Sequence, residues 1–528
     1  MIRISVPALA LMIVLTAAAL SQAPQEPFES SAPLMPRGKI DELVLPRMQQ
    51  LGIQPARLSS DAVFLRRAYL DAIGALPTAQ EAKDFLADRN PEKRSLLIAR
   101  LLERPEFADY WAMKWSDLLR VKSEFPINLW PNAVQAYYRW IHTSLRDNLH
   151  YNRFVRELLT ASGSNFREPQ VNFYRAVQSR EPQAIAQAVA LTFMGERAEK
   201  WPKERLAGMA GFFSQIGYKP TGEWKEEIVH YDPAKAVPGW APGAVNAVVF
   251  PDGKPARLSP GQDPRAVFAD WLTAPENPWF ARNIVNRIWS WLLGRGIIHE
   301  PDDIRPDNPP GNPDLLAYLE REMAASDFDM KHIFRLILSS QVYQLSFIPR
   351  TDRPEGAAEF AWYPMRRLDA EVLIDAICQV TGTTEGYSSA IPEPFTFIPE
   401  NQRSIGLADA SITSTFLETF GRSSRDTGLE SERTNRTTAA QRLHLLNSSH
   451  IQLKIQQSAK IRSLMQAGGG GPRETIGGLY LTILSRLPTD EELRVVGAHF
   501  QAAAGNRWPA VVDLAWALIN SSEFLYRH

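Results

Sequence analysis

Between Asp263 and Leu345 the chain opens three successive segments with one device, and that repetition limits the fold more than any other feature. Asp263-Pro264, Asn277-Pro278 and Asn312-Pro313 each offer a side-chain oxygen at a helix N-cap. Each follows it with proline, whose fixed φ and missing N–H are harmless at the first helical position. Apolar residues then recur every three or four positions. Phe280, Ile284, Ile288 and Trp291 form one stripe that ends at Gly294. Ile333, Phe334 and Ile337 form another behind a cap at Asp329. A chain written this way buries helix faces against helices.

The same grammar covers most of the remaining sequence. SSDAVFLRRAYLDAIG puts Leu65, Ala68, Tyr69, Ala72 and Ile73 on one face and stops at Gly74. Thr78 with Glu81 spells a capping box. Helices are predicted over 94–102, 107–119, 133–148, 151–161, 185–193, 368–380 and 441–447. Residues 219–262 break the pattern with seven prolines and five glycines, and Asp252-Gly253 there is a hairpin signal. The expected fold is therefore mainly α. It has two helical domains, 39–218 and 263–528, with a small β-hairpin in the linker 219–262 between them. One internal echo stands out: YLDAIGALPTAQE (69–81) and YLTILSRLPTDEE (480–492) share a Tyr-Leu pair, a Leu-Pro-Thr turn and a capping glutamate. This predicts one helix–turn–helix unit used twice.

The N-terminus predicts export. Arg3 precedes an apolar run, Val6 to Leu20, of about 15 residues, shorter than the roughly 20 a membrane span needs. Small residues follow, so 1–23 reads as a signal peptide and 24–38 as a Pro/Ser-rich tether. The expected location is secreted or periplasmic, with no integral membrane segment after cleavage. Lys and Arg number 58 against 59 Asp and Glu, which argues against nucleic acid as a partner. The lone cysteine, Cys378, lies on the apolar side of a predicted helix and cannot form an internal disulfide.

In order along the chain, FLRRAYLDAIGALPT, NPWFARNIVNRIW, GRGIIHEPDDIRPDNPPGNPDLL, RRLDAEVLIDAI, LHLLN and WALINSSEF resemble the signatures of the paired domains of unknown function 1549 and 1553. These are exported, often cytochrome-associated proteins of planctomycete-type genomes. The resemblance covers nearly everything from residue 39 onward and implies no reaction. It implies genomic company with exported sulfatase-like proteins. Relatives commonly carry a CxxCH haem-attachment motif between an FLG-like turn and a Trp. Here Phe193-Met194-Gly195 and Trp201 bracket that place, and the cysteines and histidine are missing. Covalent c-type haem needs those thiols, so no cofactor is expected.

Candidate chemistry is sparse. No G-x-S-x-G elbow, phosphate loop or HExxH occurs. His444 and His450 are six apart, too irregular for two ligands on one helical face. Asp302, Asp303, Asp307 and Asn308 offer oxygen ligands to a calcium ion, or cap turns beside proline. Arg367, Glu371 and Asp375 recur every four residues, as a salt-bridge ladder or as acid–base groups. A candidate hydrolase cleft joins Arg287, Arg367, Glu371, Glu432 and Arg433. Trp201, Trp224 and Trp240 lie in or near loops and are candidates for stacking on a sugar ring. The leading expectation is an exported binding or scaffold protein acting on glycans or an exported partner. The alternative is an extracytoplasmic hydrolase.

Overall fold

Helices begin where side-chain oxygens meet free backbone amides. In the computed structural model, which describes residues 27–236, 248–467, 471–503 and 506–528, Asp263 accepts from the Arg265 amide at 3.0 Å. Asn312 accepts from Leu315 at 3.0 Å and Asp329 from His332 at 3.3 Å. The Asn277-Pro278 pair behaves differently. Asn277 accepts from the amides of Trp279 and Phe280, and the helix Phe280–Leu293 starts two residues past Pro278. The expected signal segment 1–23 and Trp240 lie outside the described residues.

The described fold is mainly helical. Helices Asp61–Ile73 and Ala79–Ala87 flank the Leu-Pro-Thr turn, and Pro472–Leu484 and Asp490–Ala502 flank its echo. Thr78 and Glu81 complete a capping box at 3.1 and 2.8 Å, as do Thr489 and Glu492 at 3.2 and 2.7 Å. Gly74 and Ser485 end the first helix of each pair with φ of +60° and +61°. A Cβ on Gly74 would come within 2.6 Å of the Tyr110 ring, so only glycine fits there. Arg104 spans Glu81 and Glu106 at 2.8 and 2.6 Å, and Arg486 spans Glu492 and Glu523 at 2.7 and 2.6 Å. Arg66 joins the two pairs by donating to the carbonyls of Ile483 and Phe524.

Extended structure is small, and the linker 219–262 does hold a hairpin turn, but upstream of Asp252-Gly253. Strands β1 (Gly163–Ser164), β2 (Ile216–Pro220) and β3 (Glu227–Tyr231) form an antiparallel sheet in the order β1-β3-β2. Val229 at its centre is fully buried. The expected turn at Asp252-Gly253 makes only a bridge between Val249 and Pro255. Pro251 and Pro255 lack the amide protons a longer ladder needs. A second pairing, β4 (Arg366–Arg367) with β5 (Tyr526–Arg527), ties the chain end to the middle.

One apolar core runs through both halves of the chain. Trp111 from the first half lies 5.1 Å from Trp291 and 4.4 Å from Phe334 of the second, centroid to centroid. Trp115 meets the same Trp291 edge-on at 6.1 Å. Cys378 is half-buried, and burial pushes its thiol up to about 11, so it packs as a neutral thiol rather than a thiolate.

Candidate functional site

Along helix Pro105–Leu118, Tyr110, Lys114 and Asp117 fall three and four residues apart and face the second half of the chain. Asp117 accepts from Arg425 at 2.9 Å and from Arg433 at 2.7 Å. Arg433 reaches on to both oxygens of Glu371, at 2.6 and 3.0 Å. Arg422 lies 3.4 Å from Glu371. Asp369 receives Lys114 at 3.1 Å, Arg527 at 3.1 Å and Asn435 at 3.0 Å. Arg527 continues to Asp71 at 3.2 Å, which also accepts from the hydroxyls of Tyr343 and Tyr363. These contacts form a buried ionic seam between the two halves.

The seam sets its own charge states. Burial, the largest influence, works to raise the Asp117 and Glu371 carboxyls, but Arg433 together with Arg425 and Lys114 at Asp117, and with Arg422 at Glu371, holds both below their ordinary values. Asp369 is buried too, yet Lys114 and Arg527 hold it well below the carboxylate range. At the edge of the seam the balance reverses. Burial pushes Asp375 up to about 6 against the pull of Arg403 and two backbone amides.

Of the five residues of the expected cleft, only Glu371 and Arg433 meet directly. Arg367 donates to the carbonyls of Phe420 at 2.6 Å and Thr434 at 3.0 Å. Arg287 forms a separate buried pair with Asp302 at 2.9 Å and lies 3.7 Å from Glu430. Glu432 accepts from the Thr427 and Asp426 amides and shapes its own loop. The expected ladder does not form either. Arg367 sits in β4 ahead of helix Ala370–Thr381, while Asp375 accepts from the amides of Ser404 and Ile405. Helical spacing placed these groups in series, but each found a stronger partner in the loop 403–435 or its backbone.

The acidic loop is also paired internally. Asp302 holds Arg287 and the Glu430 amide, Asp303 holds Arg305 at 3.2 Å, and Asp307 holds Arg305 at 3.0 Å. Asn308 donates to the carbonyls of His299 and Asp303 and closes the turn. Among the described residues, no group of three or more His, Cys, Asp or Glu is placed to hold a metal ion.

The loop tryptophans divide. Trp201 is half-buried, its indole N–H donates to Glu196 at 2.6 Å, and Arg205 covers its face at 3.7 Å. Glu196 also accepts from the Trp279 indole, so the stretch after Gly195 is closed by its own side chains. Trp201 is therefore no exposed platform. Trp224 is one: it sits between β2 and β3 and is 68% exposed. Trp130 lies 6.4 Å from Trp224 and 5.4 Å from Phe395, and Lys225 stands 5.4 Å from both indole centroids. Phe395 and Phe397 are themselves exposed. Trp130 has φ of +73°, a backbone state that a bulky residue adopts only under strain.

Grooves border this ridge on both sides. One is lined by Arg175, Arg180 and the turn from Thr221 to Glu227. The other encloses about 390 Å³ between Gln135, Tyr138, Phe395, Phe397 and Asp409. That volume falls in the range of ligand pockets, roughly 300–1,000 Å³. Sequence reasoning found Trp224 but missed Trp130, Phe395 and Phe397. Trp130 falls just ahead of the helix predicted over 133–148, and the stretch around Phe395 carries no periodicity.

The fold and the seam define a helical protein whose two halves are locked by buried ions. Residues 39–208 match the family described as a protein of unknown function, DUF1549, and residues 264–500 match the one described as a protein of unknown function, DUF1553. The chain belongs to the proteins that pair these two domains. With one cysteine it carries no CxxCH motif. No curated protein and no solved structure matches it.

Proposed function

We propose that this is an exported binding or scaffold protein that holds a glycan on the ridge formed by Trp224, Trp130 and Phe395. The observation that carries the reading is Trp224, a 68% exposed indole backed by a second indole in a strained backbone state. Exposed aromatic faces suit the C–H faces of sugar rings, and burial is the usual fate of tryptophan. Strain of this kind collects at ligand-holding positions. Arg175, Arg180 and Gln135 line the adjoining grooves and would supply hydrogen bonds to hydroxyls.

The hydrolase reading asks Arg287, Arg367, Glu371, Glu432 and Arg433 to meet a substrate. Arg287, Arg367 and Glu371 are no more than 4% exposed, and Arg433 is committed to Asp117 and Glu371. We assign Glu371 and Arg433 to joining the halves, and Arg287, Arg367 and Glu432 to bracing the second half from within. Export itself rests on the N-terminal sequence pattern. The test is a glycan array probed with the purified protein and with Trp224→Ala and Trp130→Ala. Oligosaccharide binding that both variants lose supports the reading. Binding that both retain contradicts it.

A further inference from the structure

The helix Ala439–Asn447 stops at Ser448, and Ser449–Gln456 starts again in a new direction. That break brings together two histidines that no single helical face could align. His444 Nε2 lies 3.4 Å from His450 Nδ1. The other nitrogen of His450, Nε2, faces Glu385 at 2.8 Å. Lys454 lies 3.1 Å from the same Glu385 oxygen. Glu385 is nearly buried, and the same oxygen faces both His450 and Lys454.

The proton positions follow from these contacts. An ionised Glu385 only accepts, so His450 carries its proton on Nε2 and presents a lone pair at Nδ1. That lone pair points at His444. Phe416 and Phe420, stacked 4.1 Å apart, set their faces near the pair: Phe416 lies 5.6 Å from His444 and 6.1 Å from His450. A neutral imidazole at His444 likewise keeps one ring nitrogen free of a proton. Both rings remain partly open to solvent.

We propose that His444 Nε2 and His450 Nδ1 form a two-imidazole site for a late first-row divalent cation, zinc or copper, with water completing the shell. Two nitrogens bound to one tetrahedral ion at 2.0–2.1 Å stand about 3.3 Å apart, close to the separation here. Imidazole suits both metals. Glu385 is the outer partner that fixes the tautomer of a metal-binding histidine and raises its basicity. Binding requires only that the His444 proton move from Nε2 to Nδ1. This inference stands apart from the glycan reading, since it uses no residue of the aromatic ridge.

The test is isothermal titration of zinc and then copper into the full chain near neutral pH. One ion per chain is expected, with affinity falling as the pH drops below the imidazole range because protons compete for the same lone pairs. His444→Ala should weaken binding at least about tenfold, and Glu385→Gln should weaken it by about 10–100-fold while both histidines remain. His450→Ala also strips a partner from Glu385, so His444→Ala, checked for folding by circular dichroism, carries the test. Titration curves that are the same for the parent and His444→Ala overturn the proposal, as does the absence of saturable binding to the parent.

Discussion

Arg433 and Glu371 face each other through two hydrogen bonds of 2.6 and 3.0 Å, with the Glu371 side chain wholly shut off from solvent. A buried pair of this kind adds little over a well-packed apolar replacement, but losing one partner strands a charge. Glu371→Ala and Arg433→Ala should each destabilise the protein by about 3–5 kcal/mol. The pair is coupled, so the double variant should lose clearly less than the sum. Urea unfolding of the four proteins measures this, and single losses below about 1 kcal/mol would be the typical result for an exposed pair instead.

The seam also fixes the acid response. Asp117, Asp369 and Glu371 all sit below their unfolded values of 3.8 or 4.5. Stability they contribute is present above those values and is lost as the pH falls through the folded ones. Acid unfolding should therefore begin below about pH 4 and move to higher pH in Asp369→Asn.

Asp375 works with the opposite sign. Its carboxyl rises from 3.8 in the unfolded chain to about 6 in the folded one. The folded state therefore holds the extra proton, and stability falls as the pH rises between those values. A shift of that size is worth about 3 kcal/mol. Asp375→Asn should flatten the stability profile over this window, followed by thermal melts at a series of pH values.

Much of the helical framework was legible because caps are local. Thr78, Asp263, Asn312 and Asp329 each satisfy an amide within three residues, so the chemistry can be read from the string. The seam was only half legible. Glu371 and Arg433 could be paired as charges, but Asp117 is 316 residues from Arg433, and no local pattern signals such a contact. Lys114 and Asp117 read as the polar side of an amphipathic helix. The sheet was hidden because Gly217 and Pro220 interrupt the alternation of β2. The two histidines were dismissed on one-helix geometry, which a break at Ser448 removes.

The two matching turns make a local prediction. Thr78→Ala and Thr489→Ala each remove a capping oxygen, and each should cost about 1 kcal/mol in urea unfolding. Equal losses would fit their equal geometry.

Trp130 offers a test of its backbone. At φ of +73° glycine fits without strain, and alanine does not. Trp130→Gly should thus be more stable than Trp130→Ala by about 1 kcal/mol, while neither restores the ring contact with Trp224.

The most direct test of the account is a calorimetric binding isotherm for the strongest oligosaccharide on the array, run against the parent, Trp224→Ala and Glu371→Gln. If the aromatic ridge binds ligand and the seam only supports it, Trp224→Ala loses affinity about tenfold or more with its melting temperature unchanged. Folded Glu371→Gln then keeps the parent's affinity. The reverse pattern, affinity lost in folded Glu371→Gln and kept in Trp224→Ala, would contradict it.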